Sequence, residues 1–397
     1  MDAASAERVI NKEDSQDISI VRASVQRFLD REATAEQVQL WDREDRVPPD
    51  IIKKLASLGL CTLTVPEEHG GLGRRVSMLL DVIENLAARM PAIAGIYNMN
   101  AGYGSLNIVA SGSTSQQAQL LPDLVAGRLL FAYGLSEPDI GADLAAVKTT
   151  ARRAGDRIVI NGTKRWCSGA DIADYIYALV RSGPPEARRQ NLSIVLIPTG
   201  VHGITISRTP TMGLHGIATN DVILDNVELS IDDVLGGQAG WNEGWSAIAG
   251  PALEVEKLIS PAMAIGIARA ALDEAWEYSQ QRIQGGMRIC GHQAVRHTLA
   301  EAQTKLHVSR VLMRDTARLV ESGEASAIQT SMTKLFVCET AKEIVLSCQQ
   351  YVMGAYGYAE GFNMQRYVRD ILVFPIFAGS SAIQKNNIAN LMKLPKS

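Results

Sequence analysis

No run of 18 or more apolar residues occurs in the 397-residue chain, so no membrane-spanning helix is expected. Long basic stretches are missing too. The formal net charge is −4, so a nucleic-acid-binding face is not expected. Cysteine is scarce. Cys61, Cys167, Cys290, Cys338 and Cys348 are odd in number and scattered, with no CxxC motif and no Cys/His cluster. Neither a disulfide framework nor a metal site is expected, and reduced thiols in a cytoplasm are the simple reading. The opening residues MDAASAERVINKEDSQ mix acids and bases around no apolar centre, unlike a signal or transit peptide. Internal repeats and low-complexity linkers are absent.

What is there fits a folded protein. Hydrophobic residues make up 46% and charged residues 21% of the chain. The length suggests two or three packed parts. Residues 14 to about 128 read as helices. Pro48 and Pro49 precede the helical spacing of IIKKLASLGL, and EEHGGLG (67–73) ends it. VSMLLDVIENLAARM is a second amphipathic helix; TSQQAQLLPDLVAG is a third, interrupted at Pro122. Near Phe131 the pattern changes to short β-branched and aromatic runs. Asn161-Gly162 between two apolar runs is a hairpin-type turn signal. ADYIYALVRS, LSIVLIPTG, GITISR and DVILDNVEL follow as strands. Strands at that spacing without helices between them argue for an antiparallel barrel or sandwich. Helical periodicity returns near Gly240, with long patterns at 241–283, 293–322 and 325–352 and a tail to about 393. The expected architecture is mixed α and β, with a helical domain (1–130), a β domain (131–238) and a C-terminal four-helix bundle (239–397).

The residues at the joints resemble the acyl-CoA dehydrogenase family along nearly the whole chain. VPEEHGGLG (65–73) is similar to the family's turn after its second helix. YGLSEPDIGAD (133–143) resembles its flavin-binding signature, and NGTKRWCSGA (161–170) its second flavin segment. MGLHGIATNDVILDNVEL (212–229) resembles the strand near the substrate mouth. RIQGGMRICGHQ (282–293), MGAYGY (353–358) and RDILVFPIFAGSSAIQ (369–384) complete the order. Each motif alone is weak; seven in sequence are specific. The resemblance implies FAD as cofactor and an acyl thioester, on coenzyme A or an acyl-carrier protein, as substrate.

The resemblance also implies roles for individual residues. Tyr133, Leu135 and Ser136 would line the isoalloxazine, Trp166 would pack on it, and Ser168 would donate near N5. Cys167 alternates with its neighbours along the strand and should face away. Arg282 and Gln293 would reach a neighbouring subunit's FAD, Gly354 would let backbone approach the cofactor, and Ser380 would bond it. That reading requires a homodimer or homotetramer. Departures from the family pattern at Ile140, Ala142, His215, Gly285, Tyr351 and Ala355 bear mostly on the ADP end of the cofactor.

Removing a proton alpha to a thioester carbonyl needs a desolvated carboxylate over the substrate. Many family members carry it in a tail motif, but here the matching position is Ala378. A minority, the isovaleryl- and long-chain-type enzymes, carry it early in the first long C-terminal helix. In ALEVEKLIS (252–260), Glu256-Lys257 matches that pair, so Glu256 is the expected base, with Glu254 the nearest rival. The Ala378–Gly379 region is the expected donor to the thioester carbonyl. The implied reaction passes the β-hydride to flavin N5, with reoxidation by an electron-transferring flavoprotein and a place in fatty acid metabolism. A flavin monooxygenase or oxidase on the same scaffold, or a silent FAD-binding protein, are the alternatives.

Overall fold

A computed structural model describes residues 16–395. The reading of the first 15 residues lies outside them. Thirteen α-helices and nine strands are used below, in chain order.

The first helices are α1 (Gln16–Glu32), α2 (Ala35–Glu44), α3 (Ile51–Ala56), α4 (Val76–Arg89), α5 (Pro91–Asn100), α6 (Asn107–Ser111) and α7 (Thr114–Val125). Local chemistry sets their ends. Thr34 and Gln37 form a reciprocal capping box at the start of α2, and Ser113 and Gln116 form another at α7. A π-helical turn, Ala101–Leu106, joins α5 to α6. Pro122 does not interrupt α7, contrary to expectation. It costs one backbone bond only three residues before the helix ends. The buried Leu120, Leu121 and Leu124 hold that turn in place.

The middle of the chain forms a curled seven-stranded sheet. Its strands are β1 (Phe131–Gly134), β2 (Thr150–Ala154), β3 (Arg157–Ser168), β4 (Tyr175–Arg181), β5 (Leu192–Pro198), β6 (Ile204–Thr209) and β7 (Thr219–Ser230). The spatial order is β1-β4-β2-β3-β7-β6, with β5 also on β4. The sheet is mixed rather than wholly antiparallel, because β1 and β2 both pair parallel with β4. The hairpin signal at Asn161-Gly162 is corrected: both residues lie inside β3, and the chain turns instead at Gly155 between β2 and β3. Gly162 has φ +152, and the register slips between Ile160 and Gly162, so the dipeptide makes a bulge. A Cβ there would lie 2.4 Å from Thr149 Oγ1.

The C-terminal part contains α8 (Gly244–Ile248), α9 (Pro251–Gln281), a hairpin of β8 (Ile283–Gln284) and β9 (Met287–Arg288), α10 (Gln293–Glu321), α11 (Ala327–Ser347), α12 (Met364–Ile371) and α13 (Ser381–Leu391). The single helical pattern expected over 241–283 is broken at Ala249-Gly250, where Gly250 is extended (φ −79, ψ −174). α9, α10 and α11 pack together, with α4 laid against α9. Glu84 of α4 is buried and takes Arg310 of α10 at 2.5 Å and Arg269 of α9 at 3.7 Å, tying three helices together. No described helix is long and apolar enough to cross a membrane.

Candidate active site

Side chains alternate along a strand, so Phe131 and Tyr133 share one face of β1. Phe131 is buried there, and the Tyr133 ring follows it inward. Tyr133 stacks on Tyr103 of the π-helical turn, with ring centroids 3.8 Å apart and planes at 17°. Its other neighbour is Tyr177 of β4, at 5.1 Å. The three phenols thus form one aromatic cluster between the sheet and the N-terminal helices.

Glu256, in the second turn of α9, meets this cluster. The Tyr133 hydroxyl donates to Glu256 Oε2 at 3.2 Å. That hydroxyl in turn accepts from Asn107 Nδ2 at 2.7 Å, and the same amide donates to the Tyr103 carbonyl at 2.9 Å. A phenol has one proton, so with Glu256 ionised the direction runs from Asn107 to Tyr133 to Glu256. Glu256 keeps part of its surface open, but desolvation pushes its carboxyl up to about 7. The Tyr133 hydrogen bond and the nearby Lys257 charge pull it down by less. The group is therefore poised to take up a proton near neutrality.

Glu254 is placed differently. Its carboxylate pairs with Lys257 at 2.9 Å and accepts from the Thr330 hydroxyl of α11. One turn further along α11, the fully buried Lys334 donates to the carbonyls of Phe374 and Phe377 at 2.7 and 3.0 Å. The same face of α11 therefore holds both the start of α9 and the segment leading to Ala378. Ala378 is itself in the left-handed region at φ +49, followed by Gly379 at φ +78. The Gly379 carbonyl accepts from Gln384 at 3.0 Å. Ser380 caps α13, its hydroxyl accepting from the Ile383 N–H at 3.4 Å.

The two segments expected to hold the flavin are stitched together. The Arg165 N–H donates to the Ser136 carbonyl at 3.0 Å, which puts Leu135-Ser136 beside Trp166-Ser168. Lys164, fully buried, pairs with Glu137 at 2.8 Å and donates to the Leu135 carbonyl at 3.3 Å. Glu137 also accepts from the N–H groups of Lys148 and Thr149, and its pKa is lowered: the Lys164 charge and these bonds outweigh its burial. The sequence reading missed this pair. Its signal was a lysine in NGTKRW at a position whose β3 neighbours Ile158 and Ile160 point inward. At the second register slip of β3, Trp166 has φ +66 and is 56% exposed, while Cys167 is fully buried and Ser168 open. The indole is presented outward rather than packed in the core, with the Arg165 guanidinium 5.7 Å from its ring centre.

The remaining expected residues gather elsewhere. Arg282 caps the far end of α9, roughly 39 Å from Glu256 at 1.5 Å rise per residue. Its guanidinium lies 5.1 Å from the Tyr356 ring, next to the turn at Gly354, whose φ is +55. Gln293 opens α10 beyond the exposed β8–β9 hairpin. Within one chain, therefore, Arg282, Gly354 and Gln293 do not join Glu256. His215 touches the backbone carbonyls of Asp42 and Thr211, 3.0 and 3.1 Å away, and Arg369 binds Asp42 beside it, a packing role. Among the described residues, no His/Cys/Asp/Glu group could hold a metal ion.

Comparison with known proteins identifies the family. Family models for the N-terminal, middle and C-terminal domains of acyl-CoA dehydrogenase match residues 15–128, 132–227 and 242–393. A 3-(aryl)acrylate reductase of Clostridium sporogenes is 33% identical over 89% of this chain and 92% of its own length. A subunit of the caffeyl-CoA reductase–Etf complex of Acetobacterium woodii is 29% identical over 95% of this chain and 98% of its own. The crystal structure of an acyl-CoA dehydrogenase from Geobacillus kaustophilus superposes with a TM-score of 0.89, at 26% identity, over 96% of this chain and 100% of that one.

Proposed function

Because the chain belongs to the acyl-CoA dehydrogenase family, an FAD-dependent group of oxidoreductases acting on acyl thioesters, we propose that Glu256 is the base that removes the α-proton. The observation that carries this is the hydrogen-bonded, desolvated carboxyl of Glu256 with one open side, together with the absence of an acid at position 378. When bound, FAD supplies the hydride acceptor for the substrate's β-carbon. Trp166, Ser136 and Ser168 fit the ring of that cofactor, and Ser380 its polar atoms.

The protein's own part in the reaction is acid–base and positional. The Ala378–Gly379 backbone, tethered through Phe374 and Phe377 to Lys334, offers the donor that polarises the thioester carbonyl. Glu256 then takes the acidified α-proton, and the 2-enoyl thioester leaves. Tyr133 sets the basicity of Glu256 through its hydroxyl and holds the carboxylate toward the aromatic cluster. Lys164 and Glu137 fix the backbone of Leu135 and Ser136, so that both flavin segments keep one spacing.

Arg282, Gln293 and Gly354, too far from Glu256 to share its cofactor, are assigned to the ADP half of a partner subunit's FAD, in a homodimer or homotetramer. An electron-transferring flavoprotein is the proposed electron acceptor, supported by the relative that works within an Etf complex. A cytoplasmic place and a role in fatty acid metabolism complete the proposal. The test is anaerobic flavin bleaching by acyl thioesters. Glu256→Gln is expected to slow it by about 100- to 10,000-fold while FAD stays bound. Unchanged bleaching in that variant would transfer the role of base to another group and favour a silent or oxygen-using flavoprotein.

A further inference from the structure

Asn107 opens α6, directly after the π-helical turn, and is 5% exposed. Its backbone N–H goes to the Gly104 carbonyl. Its side-chain nitrogen serves two oxygens at once: the Tyr103 carbonyl at 2.9 Å and the Tyr133 hydroxyl at 2.7 Å. A carbonyl only accepts, so the amide atom between these two oxygens is the nitrogen and not the oxygen. Asn107 therefore meets the phenol with a donor and no acceptor. On its other side the Tyr133 hydroxyl lies 3.2 Å from Glu256 Oε2. The Tyr133 ring is held in this position by Tyr103, stacked on it at 3.8 Å, and by Tyr177 at 5.1 Å.

The consequence lies in which way the phenol proton points. A phenol can donate to a carboxylate, or turn and accept from a protonated carboxyl. The second arrangement favours the protonated acid. An N–H aimed at the phenol oxygen occupies a lone pair and leaves no place for the phenol proton on that side. The Tyr133 proton then has Glu256 Oε2 as its partner, and a bond to the ionised carboxylate is the stronger one. The other groups facing Glu256 leave this arrangement intact. Lys257, on α9 itself, also favours the ionised form. Burial, with help from the Glu256 charge, holds the phenols of Tyr103, Tyr133 and Tyr177 above the ordinary range, so all three stay neutral while the carboxyl titrates. Glu254 is engaged by Lys257 and Thr330.

We propose that Asn107 is a positioning residue for the base: it directs the Tyr133 proton onto Glu256 and so keeps the carboxyl ionised and ready for the α-proton. The inference rests on the dehydrogenase reading of Glu256. Its test follows that carboxyl across pH in the FAD-loaded protein by two readouts. One is the rate of anaerobic flavin bleaching by the acyl-CoA that reduces the parent fastest. The other needs no turnover: the carboxyl stretch in infrared difference spectra, with Glu256→Gln as the blank. Asn107→Leu should move both midpoints to higher pH by about half a unit or more, and no further than Tyr133→Phe does. In a Tyr133→Phe background, Asn107→Leu should move neither midpoint by more than about 0.2 unit, because its route to the base is gone. A residue that merely packs would act alike in both backgrounds. FAD content and thermal unfolding are checked first, and Asn107→Ala takes the place of Asn107→Leu if the latter loses FAD. A midpoint that stays in place when Asn107 is replaced, or that moves equally with and without the Tyr133 hydroxyl, overturns the proposal. Glu256→Gln bleaching at the parental rate defeats the base reading first and takes this inference with it. That result is distinct from a fixed midpoint in an enzyme that depends on Glu256.

Discussion

Glu254 and Glu256 sit two positions apart on α9 and serve different neighbours: Glu254 pairs with Lys257 and Thr330, while Glu256 accepts from Tyr133. Two residues on a helix are about 200° apart, so one acid can brace the bundle while the other faces the sheet. The expected outcome for Glu254→Gln is flavin reduction within about threefold of the parent, with a stability loss of about 1–3 kcal/mol from the stranded Lys257. Stopped-flow bleaching and urea unfolding measure the two effects. A Glu254→Gln variant as slow as Glu256→Gln would contradict the assignment.

The pH dependence follows from the environment of Glu256. Its carboxyl titrates at about 7 and must be ionised to act, so kcat/KM for the thioester should rise with pH and level off above that value. Tyr133→Phe removes a hydrogen bond that favours the ionised form, so the midpoint should move to higher pH. A profile that stays in place in Tyr133→Phe would show that the phenol does not tune the base.

The same shift has a consequence for stability. Burial raises the folded-state pKa of Glu256 above its ordinary 4.5, so the folded protein holds this proton more tightly than the unfolded chain. The stabilisation it brings is complete below about 4.5 and is lost as pH rises through about 7. Relative to the parent, Glu256→Gln should therefore gain stability between those pH values. Denaturant unfolding of both proteins at several pH values gives the difference directly.

Lys164 and Glu137 predict a folding defect rather than a chemical one. Lys164→Met leaves Glu137 buried without its cation, at a cost of about 3–5 kcal/mol. The same change frees the Leu135 carbonyl, so FAD retention on gel filtration should fall as well. A Lys164→Met protein with parental unfolding would mean that the ion pair contributes nothing.

Two glycines test the correction to the hairpin. Gly155→Ala, at φ +64 with open space around the position, should cost about 1 kcal/mol from backbone strain alone. Gly162→Ala adds a collision with Thr149 and should cost about 2–4 kcal/mol. Equal losses would remove the case for a close approach at the bulge.

Much of this was legible in the residues. The helical, then strand, then helical periodicities follow from which positions are apolar, and that spacing survives any tertiary arrangement. Ala378 in place of an acid, with Glu256 on a helix, pointed to Glu256 as the candidate base before any coordinates. Asn161-Gly162 misled because a dipeptide that suits a turn suits a bulge equally well; the deciding contact, Thr149, lies on a neighbouring strand. Pro122 misled because a proline near a helix end loses only one bond.

The sequence by itself determined the order of helices and strands, the missing tail acid and the presence of a candidate base. The tertiary structure alone decided that Glu256 rather than Glu254 meets Tyr133 and that Lys164 neutralises Glu137. The reason is physical. Periodicity depends on neighbours along the chain, whereas desolvation and hydrogen-bond satisfaction depend on groups that folding brings together across more than 100 positions, as with Tyr133 and Glu256.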